Sequence, residues 1–333
     1  MPFSEAFDFI NSFSKINTEM KKNNRIGTYA AYSFLAVLLL SVGCNNSMKG
    51  KNTTSSGEIT LYLEESYKPL FETSIYTFEG QNPLATVKAH YVNEAEAIDA
   101  FMNGKTSTIC VTRDFTDAEK KALLANNNVE VKSTKMAIDA IALIVHPENT
   151  DTLFTVDRLK EILKGNDSVW TGSNRKINVV FDNPNSANFN YLRNLAEINS
   201  LPVNVYAVNS NEEVINFVKE NRNALGVIGV NWISDDDDPA TLNFKAGIQV
   251  VSVAKSEGGE YFKPYQAYIY DGYHNDKGYP LVREAWLLNK GGHMTLNGGF
   301  VNFMNGEKGQ LIIQKSALIP ANMVARMVKI VGE

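Results

Sequence analysis

Strand-like and helix-like segments alternate from Gly57 onward, and this alternation constrains the fold more than any other property of the chain. Residues 59–63 read as a strand and 67–78 as a helix, with Pro69 in a first turn where proline is tolerated. A second strand spans 87–92, and Asn93 stands as the N-cap of a helix over 94–103 that stops at Gly104. A short strand over 108–112 leads to a helix opened by Thr116, with Glu119 at capping-box spacing. The apolar run 138–145 is a further strand. A second series follows: helix 155–163, strand 177–181, helix 186–199, strand 203–207, helix 212–221 and strand 225–230. Strands over 248–254 and 265–270, then helices over 298–304 and 307–314, close the chain. The expected class is α/β, with open, mostly parallel sheets flanked by helices. No repeat with a period of about 20–50 residues is present, which excludes a solenoid or propeller.

Composition bounds the rest. At 333 residues, 44% of them apolar, the chain can bury a large core and is not disordered. A net charge of −5 leaves no electrostatic footprint for nucleic acid, and no such partner is expected. Cys44 and Cys110 cannot build a disulfide framework, and with His90, His146, His274 and His293 scattered, neither a metal nor a cofactor is expected. Cys110, inside an apolar strand, reads as a small buried hydrophobe.

The amino-terminal segment differs from the rest. No charged residue lies between Arg25 and Lys49, and residues 30–40 are nearly all apolar. Lys21, Lys22 and Arg25 precede this run and Ser41-Val42-Gly43-Cys44 follows it, which is the layout of a secretory signal. A cysteine after a small residue resembles a bacterial lipobox, with Ser41 in place of the usual Leu, so Cys44 is the expected lipidation site. A simple cleaved signal and a membrane-anchor helix are the alternatives; the latter needs about 20 apolar residues and must take in Gly27, Thr28, Ser33 and Ser41. Residues 1–43 are thus read as signal peptide, with translation expected to start at Met20, and the polar segment 44–57 as a flexible tether.

No enzyme signature is present: HExxH, GxSxG, GxxxxGK[ST] and a post-strand GxGxxG are all missing, and an enzyme is not expected. The run Asp235–Asp238 lacks calcium-loop spacing and reads as a solvated acidic turn. What remains are strand-to-helix junctions rich in small polar residues: Glu64-Glu65-Ser66-Tyr67, Thr112-Arg113-Asp114, and the stretch from Asp182 to Asn188. Helix starts offer unpaired N–H groups, and ligands of open α/β sheets sit beyond the carboxyl ends of the strands. For any one junction alone a residue capping its own helix, such as Ser66, Asn185 or Ser186, is the better explanation, whereas three on two successive αβ units favour a cleft site.

Several ordered segments resemble one family, the type II periplasmic solute-binding proteins of the PstS type, which bind phosphate for ABC transporters. They are Lys135 to Asn149; Thr155 to Gly165 with Trp170; Asn211 to Ile215 with Asn223 to Gly229; and Gly306 to Gln310 with Lys315 to Pro320. The likeness runs over about 58–325. It implies two lobes joined by two crossing strands near Val145 and Tyr261, with 58–145 plus 262–333 as one lobe and 146–261 as the other. It further implies a lipid-anchored receptor outside the cytoplasm, in the periplasm or at the cell surface. The implied partners of this expected monomer are phosphate or another small oxyanion, and an ABC permease in the membrane.

The same resemblance points to Ser66, Tyr67, Thr112, Arg113, Asp139, Asp182, Asn185, Ser186, Ala187 and Asn188 as ligand-binding residues. Ser186-Ala187-Asn188 falls on the family's Ser-Gly-Thr, and Asp182 falls where the family carries an arginine. A carboxylate there repels an anion, so Arg113 is expected to supply the charge from the other lobe. Asp139 and Asp182 are expected as acceptors for a protonated oxyanion. The alternative is a surface sensor or interaction lipoprotein on the same fold that has lost phosphate.

Overall fold

In the computed structural model, residues 52–127, 130–199 and 202–322 are described. The signal segment, Cys44, Met20 and most of the tether lie outside them. Where the tether was expected to run on to residue 57, Asn52 already accepts a hydrogen bond from the Leu296 N–H at 2.8 Å, and strand β1 (Ser56–Glu64) has begun.

The order of elements in the first half follows the capping chemistry. After β1 and a 3-10 turn at Glu65–Tyr67 come α1 (Lys68–Gln81), which has Pro69 in its first turn, and β2 (Leu84–Val92). Asn93 caps α2 (Glu94–Met102) by accepting from the Glu96 N–H, as its position predicts. Strand β3 (Thr108–Val111) precedes α3 (Asp117–Asn127), whose entry is the expected reciprocal box: the Glu119 N–H donates to Thr116 Oγ1, and the Thr116 N–H to Glu119.

Strand β4 (Lys132–Val145) is 14 residues long and buried on both faces from Met136 onward. The second half contains β5 (Leu153–Thr155), α4 (Val156–Leu163), β6 (Asn178–Phe181), α5 (Ala187–Ala196) and β7 (Val205–Ala207). It continues with α6 (Asn211–Glu220), β8 (Ala224–Gly229) and α7 (Pro239–Lys245), which Asp238 of the acidic run caps through the Ala240 N–H. The strand expected over 248–254 is broken at Val251 into β9 (Gln249–Val250), which pairs with β4, and β10 (Ser252–Ala254), which pairs with β5.

Two expectations fail after this point. Residues 265–270, expected as a strand, instead open a helix, α8 (Gln266–His274), that buries Ile269 toward the core and half-buries Tyr273 one turn on. A helical period thus hides in an aromatic run of high strand propensity. The strand that is present, β11 (Val282–Asn289), was missed because Arg283 and Glu284 break its apolar pattern. Helices α9 (Leu296–Asn305) and α10 (Glu307–Lys315) and the short β12 (Ile319–Pro320) follow.

Among the described residues, ten strands form one sheet with the path β2-β1-β3-β11-β4-β8-β6-β7, while β9 pairs with the carboxyl end of β4 and β12 with its middle, at Ala137 and Ile138. The flanks β2-β1-β3 and β8-β6-β7 are parallel within themselves for β1, β2, β3 and for β6, β7, β8; the central β11 and β4 run antiparallel to their neighbours. Strand β4 pairs with β11 up to Ala140 and with β8 from Ile141. The carboxyl-terminal α9 and α10 return to pack on α1, where Phe78 meets Phe300 edge-on at 5.3 Å. Cys110 is fully buried in the core, as expected.

Candidate functional site

The carboxyl ends of β1, β6 and β8 converge beside the middle of β4 and the start of β11. A lone carboxylate in the apolar run of β4, Asp139, requires a partner there. The partner is Arg283, directly opposite it in register on β11. Its Nε donates to Asp139 Oδ2 at 2.8 Å; Nη2 lies 2.7 Å from the same oxygen without an aligned hydrogen bond. The two side chains are 3% and 0% exposed, so the pair is screened from water. The guanidinium also stands over the ring of Tyr67, 5.5 Å from its centroid.

The junctions supply the surroundings. Ser66 Oγ donates to Asn188 Oδ1 at 3.3 Å, and Arg283 Nη1 donates to the same oxygen at 2.8 Å. Asn188 Nδ2 donates to Asn211 Oδ1 at 3.1 Å, which also accepts the Gly229 N–H at 2.9 Å. Asn211 Nδ2 in turn bonds Glu65 and Asp182. Ser186 Oγ donates to Asp182 Oδ1 at 2.6 Å and accepts the Phe189 N–H, so Ser186 caps α5 while it orients that carboxylate. The network ties the first half (Glu65, Ser66, Arg283) to the second (Asp182, Asn188, Asn211, Gly229). It needs the close backbone approach that only glycine permits: a Cβ on Gly229 would stand 2.7 Å from Ser66 Cβ and 3.1 Å from Arg283 Nη2.

Burial dominates the electrostatics. Desolvation pushes Glu64 up to about 8 against the pull of Arg283, with Asp182, Glu94 and Glu65 adding to the rise. Burial carries Glu65 to about 7 against its hydrogen bonds from Asn211, and raises Asp182 against bonds from Ser186 and Asn188. The Tyr67 phenol is driven well above its ordinary value by burial. For Arg283, burial works against the charged form, yet Tyr67, Asp139 and Glu64 lift the guanidinium above its usual value, and it stays charged. Donor and acceptor atoms are left without a hydrogen-bond partner side by side: Arg283 Nη2 and Tyr67 OH, with Asp139 Oδ1 and Glu64 Oε1. Such a set suits a ligand that has both anionic oxygens and a hydroxyl hydrogen.

Of the residues singled out from the sequence, the structure brings together Ser66, Tyr67, Asp139, Asp182, Ser186 and Asn188, with Ala187 as the buried first residue of α5. Three lie apart from this network. Asn185 is exposed in a turn, its N–H donating to Asn183. Thr112 gives both its N–H and its hydroxyl to Glu94, at 2.7 and 2.6 Å. Arg113 is exposed and chelates Glu119 at 2.9 and 2.8 Å. The positive charge that the sequence reading sought in Arg113 sits instead on Arg283. From the sequence, Asn211 stands just before the helix over 212–221 and Gly229 within the strand over 225–230, both in family-like segments but neither as a ligand-binding residue. The signal for Arg283 was the buried Asp139 itself, since a carboxylate in an apolar strand calls for a cation in a neighbouring strand.

A model of the PBP superfamily domain matches residues 51–308. The chain belongs to the PBP superfamily. This PBP superfamily chain is 25% identical over 256 residues to the phosphate-binding protein PstS of Staphylococcus aureus, covering 71% of this chain and 76% of that protein. In structure it is similar to a Clostridium perfringens protein described as a phosphate ABC transporter substrate-binding protein with bound phosphate. The TM-score is 0.65 at 22% identity, over 79% of this chain and 99% of the other. An ABC-type phosphate transport receptor from Vibrio cholerae gives 0.58 at 20% identity, over 79% and 100%. At those identities the structures speak for the fold alone, a mixed α/β fold with a mostly parallel sheet and flanking helices. Each of these relatives is a binding protein or receptor by name, not an enzyme.

Proposed function

We propose that this PBP superfamily protein is an extracytoplasmic receptor that takes up a small hydroxylated oxyanion, phosphate first, for an ABC importer. The observation that carries the proposal is the buried Arg283, whose Nη2 has no aligned acceptor beside Ser66, Tyr67 and Gly229. An anion reaching it gains a charge-assisted, dry interaction, and a ligand hydroxyl gains the free oxygen of Asp139. The relatives named above are phosphate binders by name, which supports phosphate as the default. Calorimetric titration tests it: phosphate binds saturably in the micromolar range or tighter, sulfate, which has no hydrogen to donate, binds far more weakly, and Arg283→Ala abolishes both.

In this reading the two halves of the sheet are lobes, 58–145 plus 262–333 and 146–261, that close by hinge motion. Cys44 carries a lipid that holds the monomer at the membrane beside its permease. Metabolic labelling with palmitate, lost in Cys44→Ala together with membrane retention, tests the anchor. One observation favours a second reading, a sensor or interaction lipoprotein with another ligand: Glu64, Asp139 and Asp182 crowd a single arginine. No heat from phosphate, sulfate or related oxyanions selects it.

A further inference from the structure

We infer that Asn188 is a built-in stand-in for a ligand oxygen, holding the two halves of the sheet together and competing with the ligand for Arg283 and Ser66. Its Oδ1 accepts from Arg283 Nη1 at 2.8 Å and from Ser66 Oγ at 3.3 Å, two donors of the first half converging on one oxygen of the second. This is the contact pattern of an anion oxygen, made by a neutral carboxamide. The carboxamide is itself held from behind: Nδ2 donates to Asn211 Oδ1 at 3.1 Å, and the same Asn211 reaches across to Glu65 through its backbone N–H at 3.1 Å and its side chain. Asn188 is 0% exposed, so it has no water to turn to when it leaves Arg283. The Leu70 N–H, donated across the halves to Asn231 Oδ1 at 3.0 Å, is a second bond across the same seam.

A bound oxyanion that takes both Nη2 and Nη1 of Arg283 displaces the carboxamide oxygen, so each binding event undoes one latch to make another. Apparent affinity is then the intrinsic affinity scaled by the fraction of molecules in which the latch is open. With the latch made in about nine molecules of ten, its removal tightens the apparent Kd about tenfold. A residue that merely holds the ligand does the opposite when truncated.

The affinity arm of this inference rests on the oxyanion reading; the conformational arm does not. Hydrogen exchange on the full ligand-free chain reads the latch through the Asn211 and Leu70 amides. Both belong to first turns of helices, and both donate across the seam. Asn188→Ala accelerates exchange at both amides and tightens phosphate binding about tenfold. Asn188→Asp, of nearly equal size, places a carboxylate on Arg283 and weakens phosphate binding, although the bond from Nδ2 to Asn211 is lost. Its opposite sign keeps the test decisive if the alanine variant folds poorly. Unchanged amides, or weaker phosphate binding in Asn188→Ala, overturn the latch. Amides that open in Asn188→Ala while even the wild type ignores phosphate sustain the latch and reject the oxyanion reading.

Discussion

Arg283 and Asp139 face each other at the same register position of two antiparallel strands, joined at 2.8 Å and shut away from solvent. Removing either partner leaves a buried charge without its counter-ion. Arg283→Ala is expected to cost about 3–5 kcal/mol in urea unfolding, and Asp139→Ala a similar amount. The double replacement Asp139→Leu/Arg283→Met is expected to recover most of that stability while leaving no oxyanion binding. A double variant that binds phosphate like the wild type removes Arg283 from the site.

The acid groups around the arginine make stability depend on pH in a defined direction. Burial holds Glu64 at about 8 and Glu65 at about 7, against ordinary values of 4.5, so the folded protein keeps protons that the unfolded chain has released. The resulting stability is complete below about 4.5 and is lost as pH rises through about 7 and then about 8. Urea midpoints therefore fall over that window. Glu64→Gln, which stays neutral, is expected to flatten the upper part of the fall; an unchanged slope in that variant contradicts the assignment.

Two glycines separate close approach from mere helix content. Gly229→Ala is expected to cost about 1–3 kcal/mol and to weaken binding, because the new methyl meets Ser66 and Arg283. Gly80, in the last turn of α1, has open space around the same methyl, and Gly80→Ala is expected to stabilise by up to about 1 kcal/mol. Thermal unfolding of the pair shows shifts of opposite sign.

Arg113 is expected to matter little. It pairs with Glu119 at the protein surface, with 43% of its side chain exposed, and such pairs contribute less than about 1 kcal/mol. Arg113→Ala should leave phosphate affinity within about twofold of the wild type on this account. A large loss in calorimetry returns Arg113 to the site.

Residues whose role is local were legible in the sequence. Asn93, Thr116 with Glu119, and Pro69 act on their own helix starts, and a single strand of sequence contains everything needed to see them. The buried polar cluster was half legible. Ser66, Asp182 and Asn188 stand at junctions whose location follows from the βα alternation. Arg283 pairs with a residue 144 positions away, and without that partner an Arg-Glu pair in a short apolar run looks like surface. Asn211 likewise reads as an ordinary helix start until Glu65 is brought beside it. The tyrosine-rich segment 265–270 misled for a different reason: its residue types favour strands, while packing on one face only is what makes it a helix.

Strand β4 has one more consequence. A single run of fourteen residues gives the first half its pairing with β11 and the second half its pairing with β8. Neither half owns a complete sheet. Gene fragments cut between the halves would each leave raw strand edges, so the chain is indivisible as material for recombination: it can be copied, decorated or retuned only as a whole.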